Sequence, residues 1–154
     1  MRRNSGFTII ELLIVIAVLG ILGAIAVPNY LSYLPNARLK SAARDLYSNL
    51  QLAKLAAIKA NGTCSITYST GPDQYTVIDS AGALNKTVVL GNYGSGVRFQ
   101  GPGGETFSTN PITFNARGTS NQGYAHLSNQ NNSAYYKVGP LYSGVVKLER
   151  SGSP

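Results

Sequence analysis

The chain has 154 residues, 44% of them apolar, with 13 Lys or Arg against 6 Asp or Glu and a formal net charge of +7. That length leaves room for one membrane anchor and one small globular domain, and excludes two sizeable domains. One Cys and one His exclude an internal disulfide and a His- or Cys-based metal cluster, and the positive excess, spread over only 12% charged residues, suits a soluble surface as well as an acidic partner.

The N-terminus carries the strongest pattern. Met1–Gly6 is a short basic leader with Arg2 and Arg3, and Phe7–Val27 is almost purely hydrocarbon with one charge, Glu11, near its start. About 20 apolar residues cross a bilayer as a helix. A carboxylate at the centre of such a span costs about 2.5–3.5 kcal/mol on insertion scales. Glu11 is near the end, where the cost is lower, but it still asks for a partner. An intramembrane charge is by default a functional residue. Other readings stay open. An ordinary secretory signal has a shorter apolar core and a small-x-small cleavage site behind it, and Ala24 and Ala26 form such a pair. A plain single-span anchor accounts for the length but for neither Gly6-Phe7 nor Glu11. Arg2-Arg3 fits the positive-inside rule, with the N-terminus in the cytoplasm and the rest sent outward.

Gly6, Phe7, Thr8 and Glu11, with the run Leu12–Val27 and Pro28 behind them, resemble the class III signal of type IV pilins and type II secretion pseudopilins. The resemblance implies that prepilin peptidase cuts between Gly6 and Phe7 and methylates the new terminus at Phe7. Glu11 then neutralises the amino terminus of a neighbouring subunit. A buried carboxylate is tolerable when paired with a cation. It further implies inner-membrane residence before assembly, a periplasmic or extracellular filament afterwards, and as partners other pilin or pseudopilin subunits, the peptidase and an inner-membrane assembly platform. Loss of the leader would leave 148 residues (154 − 6) and a net charge of +5, from 11 Lys or Arg and 6 Asp or Glu.

Pro28 and Pro35 predict a kink or an unwound stretch between roughly residues 27 and 36, because proline removes a donor and disfavours helix in the residue before it. A second helix is predicted from about Asn36 to Ala60. Leu39, Ala43, Leu46, Leu50, Ala53, Ala57 and Ala60 form one narrow, alanine-rich stripe on it, suited to close packing against a sheet. It should stop at Asn61-Gly62. Tyr30, Tyr33 and Tyr47 suggest packing between subunits.

Beyond residue 62 the period changes to two. Strands are predicted at 65–68, 75–79, 87–90, 97–100, 112–115, 124–127, 135–138 and 145–148, separated by turn clusters such as Gly71-Pro-Asp73 and Gly101-Pro-Gly-Gly104. The first two read as a hairpin across Ser69–Gln74. Cys64 opens the first alternation and reads as a buried strand thiol. The organisation is thus a leader (1–6), an apolar helix (7–27), a kinked segment with an amphipathic helix (28–61) and an antiparallel β domain (62–154). The fold class is α+β, one long N-terminal helix packed on antiparallel sheet.

Asp45–Lys59, Ile112–Gly118, Tyr135–Val138 and Ser143–Leu148 resemble the helix and strand motifs of the GspH/FimT family. That resemblance implies a minor pseudopilin or minor pilin. The absence of a disulfide-stapled C-terminal loop also leans away from typical major pilins, although a main filament subunit stays an alternative. One branch of the family binds DNA through a Gly-Arg-x-Arg pattern. The corresponding stretch here is Gly144-Val-Val-Lys147-Leu-Glu149-Arg150, with both arginines replaced and an acid added. Arg98, Arg117, Lys137, Lys147 and Arg150 could line one face, and Tyr135 and Tyr136 could stack on bases. The residues suggest no catalytic group, no cofactor and no metal ligand set. His126 stands alone on a strand, and Gly101-x-Gly-Gly104 lacks the strand-to-helix setting and lysine of a phosphate loop. Asn61, Asn85 and Asn131 begin glycosylation-type triplets, which an Asn- and Thr-rich chain produces by chance.

Overall fold

A computed structural model describes residues 7–152; the leader with Gly6, Arg2 and Arg3 lies outside the described residues. One helix, α1 (Ile9–Lys59), runs 51 residues where the sequence suggested two pieces. Residues 27–36 stay helical through Pro28 and Pro35, so the expected unwinding and the fresh helix start near Asn36 do not occur. Proline's fixed φ is itself helical, and each ring removes only one donor. Extending an existing helix costs less than nucleating a second one.

The chain divides into two units, Met1–Leu34 and Pro35–Pro154. In the first, helix α1 is long and apolar enough to cross a membrane, with a mean hydropathy of 2.9 over its most apolar window. In the second, α1 buries one stripe: Leu39, Ala42, Ala43, Leu46, Leu50, Ala53 and Ala57 are fully covered. The stripe follows the predicted spacing except at Ala60, which lies past the helix end and is exposed. Asn61 takes a left-handed φ of 48°. Its N–H donates to the Ile58 carbonyl at 3.2 Å, and the Gly62 N–H to the Ala57 carbonyl at 3.0 Å. This is the paired C-terminal cap that Asn-Gly supplies.

The eight expected strands are present with their ends shifted: β1 (Cys64–Ser69), β2 (Gln74–Asp79), β3 (Asn85–Val89), β4 (Arg98–Phe99), β5 (Ile112–Phe114), β6 (Ala125–Ser128), β7 (Ala134–Pro140) and β8 (Val146–Gly152). They form two antiparallel sheets, β3-β2-β1-β5 and β4-β6-β7-β8. The predicted hairpin is the β1–β2 pair, in register from Cys64↔Asp79 to Ser69↔Gln74. Strict alternation drives the burial. Cys64, Ile66, Tyr68, Tyr75 and Val77 face inward, as period two requires. Phe114, Phe99, Leu127 and Val138 complete the core. Tyr68 of one sheet meets Phe99 of the other edge-on at 5.5 Å and stacks on Phe107 at 5.6 Å, so aromatic contacts join the sheets.

A polar network reaches into this core. Asn49, 3% exposed, donates to Asp45 Oδ2 at 3.0 Å and to Tyr75 Oη at 2.7 Å, and accepts from Lys86 Nζ at 2.9 Å. Asp45 Oδ2 also accepts from Tyr75 Oη at 3.1 Å and from Tyr93 Oη. The network ties α1 to β2, to β3 and to the turn after it. Burial, then the Asp45 charge, pushes the Tyr75 phenol well above its usual range; Tyr93 rises through burial and its bond to Asp45.

Candidate functional site

Two surfaces bear on function: the start of α1 and the outer face of the second sheet. At the first, Phe7 is 82% exposed. Thr8 caps the helix. The Glu11 N–H donates to Thr8 Oγ1 at 3.3 Å, the Thr8 N–H donates to Glu11 Oε2 at 3.2 Å, and the Thr8 hydroxyl donates to the same oxygen at 3.1 Å. This reciprocal arrangement is a capping box, with Thr8 at N-cap and Glu11 at N3. It satisfies two of the donors that every helix start leaves open, and a carboxylate in the first turn also meets the positive end of the helix dipole. The sequence reasoning used Thr8 only as part of a motif. The signal was present, since Thr-x-x-Glu before an apolar run is the capping pattern.

At the second surface the candidate basic residues divide. Antiparallel register places Lys137 opposite both His126 and Glu149, and Gly139 opposite Lys147. Directly opposed residues share a face, so Lys137, Lys147 and Glu149 stand together. Lys147 Nζ lies 3.9 Å from Glu149 Oε1, and Lys137 Nζ lies 4.0 Å from the Tyr124 ring centre. Arg150, an odd step from Lys147, falls on the opposite face, opposite Tyr136. Arg117 is exposed on the turn after β5, where Asn115 Oδ1 accepts its N–H at 3.0 Å. Arg98 donates to Asn132 at 3.1 Å. Tyr135 is 9% exposed, which leaves little ring for stacking. Gly144 has its own structural reason: its φ is +73°, and a Cβ there would lie 1.7 Å from the Gly118 carbonyl oxygen.

His126 is 7% exposed. Its ring stacks on Tyr124 at 4.9 Å, and Nδ1 lies 3.6 Å from Glu105 Oε1. Burial first, and then Lys137, lowers its pKa against the opposing pull of Glu105. Cys64 is fully buried and its thiol is pushed up to about 11 by burial and then by the Asp79 charge, the opposite of an activated nucleophile. Among the described residues no three His, Cys, Asp or Glu side chains are grouped to hold a metal ion.

A family model described as type II transport protein GspH matches residues 42–140, and one described as the prokaryotic N-terminal methylation motif matches residues 1–27. A fimbrial protein of Pseudomonas aeruginosa is 32% identical over 53% of this chain and 57% of its own length. One of Moraxella nonliquefaciens is 37% identical over 61% and 53%. The chain thus spans about half the length of these relatives. Among solved structures, the minor pseudopilin EpsH from the type 2 secretion system of Vibrio cholerae aligns with a TM-score of 0.59 at 13% identity, over 75% of this chain and 99% of that one. The type IV minor pilin FimU of Pseudomonas aeruginosa aligns at 0.52 with 18% identity, over 74% and 90%. At such identities the likeness concerns the fold: one long helix packed on antiparallel sheet.

Proposed function

Since the chain belongs to the GspH family of type II transport proteins, within the pilin and pseudopilin superfamily, we propose that it is a minor filament subunit, a minor pseudopilin or minor pilin, whose work is mechanical and not catalytic. Prepilin peptidase removes Met1–Gly6 and methylates Phe7. The apolar helix rests in the inner membrane with its start on the cytoplasmic side. An assembly platform then transfers the subunit into a periplasmic or extracellular filament, where neighbouring helices replace lipid around residues 7–27.

One observation carries this reading. Glu11 sits in the first turn of an all-round apolar helix with its carboxylate aimed back at the chain start through Thr8. Among the described residues only Thr8 engages that carboxylate, and only through Oε2. Oε1 is left for the cationic terminus of a neighbour, the one partner that makes a carboxylate inexpensive in an apolar surround. Glu11→Ala tests it in cells carrying the assembly machinery. The variant should still insert in the membrane and should be absent from filaments; incorporation at the normal level would refute the pairing. Mass spectrometry of the native protein should find methylated Phe7 at the N-terminus, and an intact Met1 in peptidase-competent cells would remove the processing step.

A DNA-binding minor pilin is the second reading, favoured by Lys137 and Lys147 sharing a face. Glu149 beside Lys147 opposes it, because an acid at that position repels phosphate. A low-salt gel shift lost in Lys137→Ala and Lys147→Ala would support this reading, and no shift at low salt would remove it.

A further inference from the structure

The outer face of the second sheet holds a groove that the filament reading leaves unused. Its floor exists because Gly139 has no side chain: a Cβ there would sit 2.0 Å from the Gly123 carbonyl oxygen and 2.5 Å from the Tyr124 Cα. The backbone at Gly123–Tyr124, just before β6, therefore passes close over Gly139, and the groove lies beside it between Tyr124 and Lys147. Lys137, Lys147 and Glu149 line it, with Pro140 and Leu141 as an apolar lip. Two cations and one anion leave the slot with one uncompensated positive charge. β8 is the last strand of its sheet, seven residues long, and its Lys147 and Glu149 form the outer wall. A terminal strand carries a row of backbone N–H and C=O groups open to an added strand. Strand addition takes its affinity from those groups and its selectivity from pockets for alternate side chains.

We infer that β8 and the adjoining groove form a docking site for an extended acidic peptide segment of another protein, which adds a strand to β8 and places one carboxylate between Lys137 and Lys147, with the apolar side chain two residues along, on the same face, against Pro140 and Leu141. The charge count selects a single carboxylate: one negative charge balances the slot, whereas a phosphate backbone brings several past Glu149. The partner is a different protein, because four of this chain's other acids are held: Glu11 by Thr8, Asp45 by Asn49, Tyr75 and Tyr93, Asp73 by the Phe99 N–H, and Asp79 by burial. The fifth, half-exposed Glu105, lies in a segment whose Glu105 and Thr106 carbonyls already accept from the Gly101 and His126 N–H groups, so it cannot add to β8 as a strand. The site does not depend on polymerisation of α1.

The test uses the full chain in detergent micelles against a displayed library of random eight-residue peptides with blocked ends. Enriched peptides should share one Asp or Glu two positions from an apolar residue. Lys147→Gln should weaken the best of them about tenfold or more, the loss of one charge-assisted bond. Glu149→Gln should tighten it roughly two- to fivefold, as removal of an exposed repelling charge does. Both positions are exposed, and an unchanged circular dichroism melt confirms that the fold is kept. Amide hydrogen exchange along β8 should slow on binding. Enrichment without an acid, equal affinity in Lys147→Gln, binding that leaves the β8 amides unprotected, or retention of single-stranded oligonucleotides in place of peptides would each overturn the proposal.

Discussion

From Ile9 to Val27 helix α1 is apolar on every side, and its large side chains stay exposed, from 46% at Val15 to 81% at Ile9; from Leu39 to Ala57 it is apolar along one stripe, and that stripe is fully covered. Both stretches have unbroken helical hydrogen bonding, so backbone preference does not distinguish them. The pattern of apolar residues does. A stripe can be buried by the chain's own sheet, whereas a helix apolar all round needs lipid or other subunits as its surround. The first stretch is therefore built for changing company, the second for a permanent core. Substitutions of one kind should have opposite consequences in the two.

The largest contrast is expected between Leu46→Ala and Ile16→Ala. Leu46 is 0% exposed, and its truncation removes packed methyl groups and leaves a cavity, a loss of about 2–5 kcal/mol. Ile16 is 55% exposed, and its truncation should leave the thermal melt of the folded unit in micelles unchanged. Equal melting shifts for the two variants would break the comparison. Asp45→Ala comes next. It strips Asn49, Tyr75 and Tyr93 of their shared acceptor and leaves buried donors unpaired, at about 1–3 kcal/mol. Both phenols have pKa values raised by folding, so they stabilise the fold below their unfolded value near 10 and lose that contribution as the pH rises above it. Ultraviolet titration should show tyrosines that ionise only on unfolding in the parent; Asp45→Ala removes the smaller cause and keeps burial, so Tyr75 and Tyr93 should ionise at a lower pH than in the parent but still above the usual range.

Much of the second unit was readable because its signals are local. The stripe Leu39–Ala57 follows from 3.6 residues per turn, the alternation Cys64-x-Ile66-x-Tyr68 from period two, and the stop at Asn61-Gly62 from the one residue pair that caps a helix in left-handed geometry. What stayed hidden depends on partners distant in sequence. The division into two sheets is decided by which strand edges meet, as with Ile66 pairing both Val77 and Ile112. Asn49 reads as a surface residue until Tyr75, 26 positions later, supplies its bond. The basic candidates were grouped by sign of charge, but the odd step from Lys147 to Arg150 sends them to opposite faces. At the prolines the local signal itself misled, because removal of one hydrogen bond does not outweigh helix propagation from both sides.

Thr8→Val should have a smaller effect, confined to the first stretch. It keeps the side-chain shape and removes the hydroxyl that caps the helix, a loss of about 1 kcal/mol. The Leu12 N–H, bonded to the Thr8 carbonyl at 3.3 Å, should exchange faster with solvent deuterium, while the melt of the folded unit stays where it was. A shift in that melt would show that the cap supports the second stretch as well.

The smallest effect concerns Cys64, a group fully inside the permanent core. Burial and then the Asp79 charge raise its thiol from 9.0 to about 11. A group whose pKa is raised by folding adds stability that is complete below its unfolded value and is lost as the pH climbs through its folded one. Its contribution therefore fades between about pH 9 and 11. Cys64→Ala should make the profile shallower from about pH 9 upward and leave the tyrosine-dependent loss that sets in above about 10. In the native protein at pH 8 the thiol is both protonated and covered, so a disulfide reagent should react with it only after denaturation. Rapid reaction without unfolding would mean that the sheet over β1 opens readily, and would place this part of the core with the stretch of α1 that exchanges its company.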